Sequence, residues 1–406
     1  MCYSHPADKA NQLNQNDTLK HLRDAFALPS EKIYFCSHSL GLPAKNAEIF
    51  MRAEMQKWSA LGAHAWFADD GNWYTSQAQT LREQLSKLLG TMPTEVAVMN
   101  SLTINLHLLL TSFYRPTKTK FKIITDAPTF PSDLYALKSH LNLHQLDIDN
   151  SLIIIQPELL EKVLEQEGEA TALLFLNTVN YLTGQIIDIE KAIALSHQYG
   201  CVVGLDLAHA AGNIPLNLHQ SGADFAVGCS YKYLCGGPGS PGFIFVNQKH
   251  HNTLLPRLSG WWGNDPSTRF QMDLQKTFIP HGGAASWQVS TPSILAMQPL
   301  LAALNVFNEV GMDYLRQKSI QQTDFFIELL DNMKINATLI TPRALEKRGC
   351  QLSLQVSNAR ELANKLLQQD IICDIRPPNV LRISFSPLYN TFEDIFRLVS
   401  QLAIIN

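Results

Sequence analysis

Six short apolar segments, several of them separated by helical stretches, constrain the fold of this chain more than any other feature. They are VAVMN, FKIITD, LLFLN, VVGLD, FAVG and FIFV, and most of them end in a polar residue or glycine. Buried strands that alternate with helices are typical of an α/β protein with a mostly parallel sheet. FIFV follows FAVG across a glycine loop with no helix between them, so we expect these two strands to run antiparallel.

The carboxyl-terminal part of the chain predicts a second, smaller α+β domain. A long helical stretch begins near Met297. Strand and helix signals follow in CQLSLQV, Arg360–Gln369, ICDIRP and VLRISFS, before a last helix from Thr391.

The amino-terminal part predicts a short strand and two helices. Ile33–Pro43 has the pattern of a strand and a turn, and helical periodicity marks Asn46–Leu61 and Ser76–Leu89. About the first twenty residues are polar, and we expect them to be partly disordered. We therefore expect an amino-terminal segment (1–60) that packs with the small domain, a large domain (61–300) and a small domain (301–406).

Composition excludes several classes of function. The 406 residues are 46% hydrophobic, enough for a large core, and the net charge of −4 offers no basic surface for nucleic acid. The amino terminus lacks the apolar region of a signal peptide, and the apolar runs are too short to span a bilayer. The seven cysteines include no CxxC and no cluster with zinc spacing. We expect a cytoplasmic enzyme with reduced thiols, without a metal, and with neither nucleic acid nor membrane as partner.

Residues with catalytic potential follow two of the predicted strands. Asp206 ends VVGLD, His209 lies just beyond it, and Lys232 follows FAVGCS, at the edge where parallel sheets bind ligands. A lysine and a carboxylate so placed suit pyridoxal 5'-phosphate (PLP), because the lysine forms a Schiff base and the carboxylate keeps the pyridine nitrogen protonated. Alone, Asp206 also fits a helix N-cap and Lys232 a solvated surface lysine; together they favour PLP.

The glycine-rich stretch after Lys232 imitates a dinucleotide-binding motif. Gly237-Pro-Gly-Ser-Pro-Gly242 matches GxGxxG, but that motif requires a strand before it and a helix after it. Here FIFV, a predicted strand, follows, so we exclude NAD binding. Glycine tolerates positive φ and close approach, and we expect the loop to let the backbone pass beside Lys232.

Many stretches, in order along nearly the whole chain from about residue 30, resemble the kynureninase family. They are YFCSHSLGLP, MNSLTINLHLLLTSFYRPT, FPSDLYAL, YLTGQIIDI, GLDLAHAAGN, SYKYLCGGPGSPGFIF, LSGWWGNDPSTRFQM, HGGAASWQVSTPSIL, RGCQLSL and LRISFSPLYNTFED. The resemblance implies a fold-type I PLP-dependent enzyme, with a mostly parallel seven-stranded sheet, helices on both faces and a smaller α+β domain. It also implies a homodimer with active sites at the subunit interface.

The resemblance assigns a cofactor role to residues in several of these stretches. Lys232 would form the Schiff base and carry the proton, Asp206 would pair with the pyridinium nitrogen, and Tyr231 would reach the phosphate and the reacting centre. Leu102 and Thr103 would bind the phosphate at a helix start, although Thr103 also fits a plain N-cap. The other implied cofactor contacts are Phe130, stacked on the ring, Pro131, Ser132, Asp133, Asn177 and His209, with Trp261 and Thr291 from the partner subunit.

The substrate site follows from the same resemblance. Arg382 would bind the α-carboxylate of L-kynurenine, with His38, Ser39 and Trp66 as further substrate contacts. Without the resemblance, Arg382 reads as an exposed strand arginine and Trp261 as a core aromatic. The implied reaction is hydrolytic cleavage of the Cβ–Cγ bond of L-kynurenine, and also of 3-hydroxy-L-kynurenine, to anthranilate or 3-hydroxyanthranilate and L-alanine, in tryptophan catabolism or NAD biosynthesis.

The chain departs from the family pattern at a few positions. His38 stands where asparagine is common, Asn177 where serine is frequent, and Thr291 where animal members have asparagine. Thr291 and the HAWF stretch, 64–67, resemble bacterial members. These departures favour L-kynurenine over 3-hydroxy-L-kynurenine as the substrate.

Two other functions fit parts of the pattern. A cysteine desulfurase or selenocysteine lyase shares the fold and needs a nucleophilic cysteine on a mobile loop. Cys350 is in about the right region, but RGCQLSLQV alternates as a strand does and predicts a half-buried thiol. The second is a catalytically inactive relative that serves as a binding protein; Lys232, Asp206, Tyr231 and Arg382 all count against it.

Overall fold

The computed structural model describes residues 5–68, 73, 76–274 and 276–405. Its strands are β1 (Ile33–Tyr34), β2 (Val96–Val98), β3 (Lys122–Asp126), β4 (Leu152–Ile155), β5 (Thr171–Asn177), β6 (Val202–Asp206), β7 (Phe225–Gly228), β8 (Phe243–Val246), β9 (Thr338–Leu339), β10 (Gln351–Gln355), β11 (Ile371–Ile372), β12 (Asp374–Arg376) and β13 (Val380–Ser384). Its α-helices are α1 (Pro6–Asn16), α2 (Ala47–Leu61), α3 (Ser76–Leu89), α4 (Leu102–Phe113), α5 (Pro131–Leu143), α6 (Ile148–Ser151), α7 (Leu160–Glu167), α8 (Ile189–Gln198), α9 (Leu218–Ser221), α10 (Ile294–Val310), α11 (Met312–Asn332), α12 (Ala359–Leu367) and α13 (Phe392–Ile405).

The larger sheet has seven strands in the order β2-β8-β7-β6-β5-β3-β4. β7, β6, β5, β3 and β4 are parallel, whereas β8 pairs antiparallel with both β7 and β2. The α/β class and the antiparallel FIFV strand are therefore confirmed. β4 was not among the six apolar segments identified in the sequence; it forms an edge of the sheet.

Helices cover both faces of this sheet. Along β5, Leu174 and Leu176 belong to one buried apolar cluster, and Leu173 and Phe175 belong to another. Successive side chains of a strand point to opposite faces, so β5 is buried between two separate cores. That burial holds the carboxyl ends of the parallel strands in fixed register, which is where the predicted site lies.

A four-stranded antiparallel sheet, in the order β12-β13-β10-β9, forms the centre of the carboxyl-terminal region. β1 pairs in parallel with β11 and so attaches the amino-terminal segment to this region. The domain limits at residues 60 and 300 stay a prediction.

The expectation of disorder near the amino terminus is wrong for Pro6–Asn16, which form a helix. The side chain of His5 accepts a hydrogen bond from the amide of Ala7 at the helix start, and Ala10 is buried. Just beyond, Asp17 and Lys318 form a buried ion pair at 2.8 Å. A polar sequence thus orders because its few apolar groups pack on the carboxyl-terminal core. Residues 1–4, also covered by that expectation, lie outside the described residues.

Among the helices of the described residues, none is by itself long and apolar enough to cross a membrane. α10 and α11 reach that length and composition only as a pair bent by 85°.

Candidate active site

The structure brings the predicted lysine and aspartate to the same edge of the large sheet. Asp206 ends β6 and is in register with Asn177, which ends β5. Lys232 follows β7, the next strand, and its side chain is buried, with 8% of the residue exposed. The alternative of a solvated surface lysine is therefore wrong. Asp206 does not cap a helix in the described structure; its Oδ1 accepts the amide of Ala208 at 2.6 Å in a turn.

Lys232 lies among polar and aromatic groups that the sequence had singled out. Its Nζ atom is 3.1 Å from Nε2 of His209, 5.7 Å from the ring centroid of Phe130 and 5.8 Å from that of Tyr231. Burial, and then the charge of Lys232, lower the pKa of His209 well below its ordinary value. The imidazole is therefore neutral, and its Nε2 accepts from the lysine amine, which leaves the proton on Nδ1.

A second buried carboxyl lies beside Asp206. Burial, and then the charge of Asp206, raise the pKa of Asp133 well above its ordinary value, and burial also raises the pKa of Asp206. Neither oxygen of Asp133 accepts a hydrogen bond from a described donor, and His209 Nδ1 is also buried without a partner. Unsatisfied buried polar groups of this kind are expected where a ligand completes the hydrogen bonds. A protonated ring nitrogen is the kind of donor that this carboxyl pair lacks.

Two helix starts converge on the same region and offer an anion site. α4 begins at Leu102 and α5 at Pro131, and the hydroxyls of Thr103 and Ser132 are 2.7 Å apart. Free backbone amides and two hydroxyls at helix N-termini suit a phosphate group. Thr103 is not the N-cap, since that position is occupied by Ser101. A Cβ atom on Gly242 would lie 3.2 Å from the amide nitrogen of Leu102, so glycine permits this close approach.

The loop after β1 passes against the backbone of Lys232. The amide of Gly41 donates to the carbonyl of Tyr231 at 2.9 Å, and a Cβ on Gly41 would lie 2.2 Å from the carbonyl oxygen of Lys232. Gly237 and Gly239 adopt φ of +82° and +79°, as expected for the glycine loop, and β8 follows without a helix. The exclusion of a dinucleotide motif is therefore supported.

Asn177 contacts a carboxylate that sequence reasoning missed. Its backbone amide and its side-chain amide donate to Oδ1 of Asp126, at 2.8 and 3.1 Å. Burial raises the pKa of Asp126 to about 6. Asp126 ends β3, so the position at a strand end was the signal that could have identified it.

Arg382 is fully buried on β13, so the alternative of an exposed strand arginine is wrong. Its Nη1 donates to the carbonyl of Tyr181 at 2.7 Å, and its Nη2 donates to Ser39 Oγ at 3.1 Å and to Asp374 Oδ2. The ring of Tyr181 packs edge-on against Phe130, with centroids 5.2 Å apart. The predicted carboxylate-binding arginine is thus joined through one tyrosine to the aromatic group beside Lys232.

His38 completes this second cluster. Its Nε2 lies 3.3 Å from Asp374 Oδ2. Burial, and then the charge of Arg382, lower the pKa of His38 to about 3, so the ring is neutral. The charge of Arg382 also contributes to the lowered pKa of His209, which places the two clusters within electrostatic reach of each other. Asp374, Arg376 and Tyr181 were not predicted as site residues.

Trp66 and Trp261 belong to one aromatic cluster. The ring of Trp66 is 5.5 Å from that of Trp262, which is 5.6 Å from that of Trp261. Trp261 is 40% exposed and donates from Nε1 to the carbonyl of Arg269 at 2.7 Å, so it is not a core aromatic. Thr291 is exposed just before α10. The contacts described within one chain do not join these residues to Lys232.

Cys350 does not have the environment of a nucleophile. It is 1% exposed, more deeply buried than the half-buried position expected, and its amide donates to Asn213 Oδ1 at 2.8 Å. Burial raises the pKa of its thiol to about 11, so the thiolate is scarce at neutral pH. It directly precedes β10 rather than lying on a loop open to solvent.

The chain is similar to known proteins in both sequence and fold. A family model described as the kynureninase C-terminal domain matches residues 315–402, and one for the DegT/DnrJ/EryC1/StrS aminotransferase family matches residues 55–227. A cysteine desulfurase from Thermococcus onnurineus NA1 aligns with a TM-score of 0.80 at 18% identity, over 95% of this chain and 97% of its own. A C-DES mutant with glycine covalently linked to its PLP cofactor aligns with a TM-score of 0.80 at 18% identity, over 94% of this chain and 98% of its own.

At that identity these structures establish the fold alone, and they confirm the fold-type I architecture. The sequence relationship is closer. A protein named kynureninase from Myxococcus xanthus strain DK1622 is 41% identical over 97% of this chain and 96% of its own. The chain therefore belongs to the kynureninase family.

Proposed function

We propose that this chain uses PLP, bound through Lys232, to cleave the Cβ–Cγ bond of L-kynurenine hydrolytically to anthranilate and L-alanine. Family membership supports the reaction. The observation that carries the assignment of the site is the buried amine of Lys232, which lies 3.1 Å from a neutral His209 and next to an aromatic ring and two buried carboxyls.

The cofactor would be held by two buried carboxyls, an aromatic ring and two helix N-termini that face the same region. Asp206 and Asp133 would receive the protonated ring nitrogen, Phe130 would pack on the ring, and the starts of α4 and α5 would bind the phosphate. When bound, PLP supplies an electron sink that makes the Cα proton and the Cβ–Cγ bond of an amino acid labile.

The protein groups then supply positioning and proton transfer. Arg382 would bind the α-carboxylate and so fix the orientation of the bond to be broken. Lys232 would remove the proton from Cα, and water would add to the γ-carbonyl, so that the carbonyl carbon leaves as a carboxyl group. Tyr231 would deliver a proton in these later steps; burial, then the nearby Cys229, raise the pKa of its hydroxyl, which keeps it protonated as an acid.

The wider assignments are part of the same proposal. The enzyme would be a homodimer in which Trp261 and Thr291 complete the partner's site, and it would act in the cytoplasm in tryptophan catabolism or NAD biosynthesis. Trp261 at 40% exposure, with the exposed Met272 and Leu274 nearby, is consistent with a surface that a second copy covers. L-Kynurenine would be the preferred substrate, and a higher kcat/KM for 3-hydroxy-L-kynurenine would contradict that preference.

Anthranilate fluorescence tests the reaction directly. Purified protein with PLP and L-kynurenine should produce anthranilate and an equal amount of L-alanine, whereas Lys232→Ala should produce neither. A matched control is Lys191→Ala, which removes an exposed lysine paired with Glu161. A protein that shows the cofactor absorption band but forms no product would have another substrate.

A further inference from the structure

Asp374 lies at the centre of the cluster around Arg382. On the antiparallel pair β12–β13 it stands directly opposite Arg382. Its Oδ2 accepts from Arg382 Nη2 and Ser39 Oγ, and lies 3.1 Å from Arg376 Nη1 and 3.3 Å from His38 Nε2. Its Oδ1 accepts the amide of Ile375 at 2.6 Å. One carboxylate oxygen thus gathers donors from three separate stretches of chain.

We propose that Asp374 is a positioning residue, which holds the guanidinium of Arg382 ready for the substrate carboxylate. This inference rests on the proposed function, since it takes Arg382 as the group that binds that carboxylate.

The bonding of Arg382 shows what Asp374 would contribute. The side chain is fully buried; Tyr181 fixes Nη1, while Ser39 and Asp374 fix Nη2. Nε is buried and has no hydrogen-bond partner among the described residues, so a donor remains for a ligand. A flexible arginine must lose side-chain entropy when it binds a carboxylate, and a guanidinium that is already held loses less.

The charges of the cluster point the same way. Two guanidinium groups, on Arg382 and Arg376, share one carboxylate, and His38 is neutral, which leaves one net positive charge for a ligand with one carboxylate. Burial raises the pKa of Asp374, but the close contact with His38 Nε2 and then the charge of Arg382 outweigh burial and lower that pKa far below its ordinary value. Asp374 is therefore ionised at neutral pH.

The simpler alternative is that Asp374 and Arg382 form a cross-strand ion pair that only stabilises the small sheet. A structural pair would affect folding and all ligands alike. A positioning residue would affect carboxylate binding, and only while Arg382 is present. The two alternatives therefore differ in a double-mutant cycle.

The experiment uses the holoenzyme and two probes, L-alanine and L-alaninamide, which lacks the carboxylate. Their affinities are measured by isothermal titration calorimetry for wild type, Asp374→Asn, Arg382→Gln and the double variant. We expect Asp374→Asn to weaken L-alanine binding by about tenfold, or about 1.4 kcal/mol, and L-alaninamide binding by less than about twofold. In the Arg382→Gln background, Asp374→Asn should weaken L-alanine binding by less than about twofold.

Kinetics and two further variants complete the test. Asp374→Asn should raise KM for L-kynurenine by about tenfold and leave kcat within about threefold, which is the pattern for lost uniform binding. Asp374→Glu keeps the charge and should recover part of the affinity even if Asp374→Asn is less stable. Asp331→Asn, which breaks the exposed pair with Arg343, should change neither quantity.

Three results would overturn the inference: equal losses for both probes, additive effects of the two changes, or tighter L-alanine binding by Asp374→Asn. The last would mean that Asp374 competes with the substrate. A wild type that binds no PLP or cleaves no L-kynurenine would instead contradict the proposed function. If the wild type binds L-alanine more tightly than L-alaninamide, the double-mutant cycle still tests the role of Asp374, even if the enzyme's substrate is not L-kynurenine.

Discussion

Nζ of Lys232 lies 3.1 Å from Nε2 of His209. The other ring nitrogen, Nδ1, is buried and has no hydrogen-bond partner among the described residues. A neutral His209 orients the lysine amine and leaves one ring N–H for a bound group. We expect His209→Phe to raise the Kd for PLP by about tenfold, because both polar contacts are lost. Dialysis of the holoenzyme against decreasing PLP measures this, with His21→Phe as an exposed control; unchanged retention would remove His209 from the site.

The Asp133–Asp206 pair predicts opposite effects on stability and on cofactor binding. Since burial raises the pKa of Asp133, the native apoprotein retains a proton that the unfolded chain releases, and stability falls as pH rises above about 4. Asp133→Asn should therefore stabilise the apoprotein at pH 7 by about 1–3 kcal/mol, and reduce the stabilisation gained on adding PLP. Thermal unfolding with and without PLP measures both effects; a less stable apo variant would contradict the argument.

His38 predicts acid sensitivity of folding. Its pKa of about 3 in the folded protein lies below the ordinary value of about 6.5, so below pH 6.5 the unfolded chain binds a proton that the native state does not. The free energy of unfolding therefore decreases as pH falls, and His38 alone accounts for a decrease of up to about 2 kcal/mol between pH 6.5 and pH 5. We expect His38→Asn to flatten the dependence of unfolding free energy on pH between 6.5 and 5. Urea unfolding at both pH values tests this; a dependence in His38→Asn as steep as that of the wild type would contradict the argument.

The parts of the fold that the sequence predicted are those with a local signal. β5 and β6 are short apolar runs buried on both faces, and their polar last residues, Asn177 and Asp206, identify the edge that binds ligands. β4 was not predicted. It is an edge strand, and its Ile154 is 46% exposed, so it lacks the full burial of the central strands. The helix at Pro6–Asn16 was missed because its order depends on distant groups rather than on its own polar sequence.

The site residues that were predicted likewise had a signal in the sequence. Lys232 and Asp206 were predicted from their position after successive strands, and the resemblance supplied Arg382. Asp374 has no such signal, because a polar residue on a short edge strand is usually a solvated one. It acquires its contacts only when β12 pairs with β13, which places it opposite Arg382. The two strands are joined by only three residues, 377–379, and the register that this turn sets between them cannot be derived from the composition of either strand.

The burial of Cys350 predicts that its thiol has no part in the reaction. We expect Cys350→Ala to retain kcat/KM for L-kynurenine within about threefold, and to lose about 1–2 kcal/mol of stability through the small cavity it leaves. Sulfide assays should detect no release from L-cysteine by either protein. Sulfide release that disappears in Cys350→Ala would instead support a desulfurase.

If Trp261 acts across the subunit interface, an inactive Lys232→Ala subunit and a Trp261→Ala subunit should complement each other in a heterodimer. In the proposed dimer each site takes Lys232 from one subunit and Trp261 from the other, so a heterodimer of Lys232→Ala and Trp261→Ala subunits contains one intact site. If subunits associate at random, co-expression should restore roughly a quarter of the wild-type activity per subunit. Pairing Lys232→Ala with Asp206→Asn is the matched control, because both changes damage the half-site supplied by one subunit and no intact site can form. Activity in the control, or none with Trp261→Ala despite heterodimer formation, would show that Trp261 does not act across the interface.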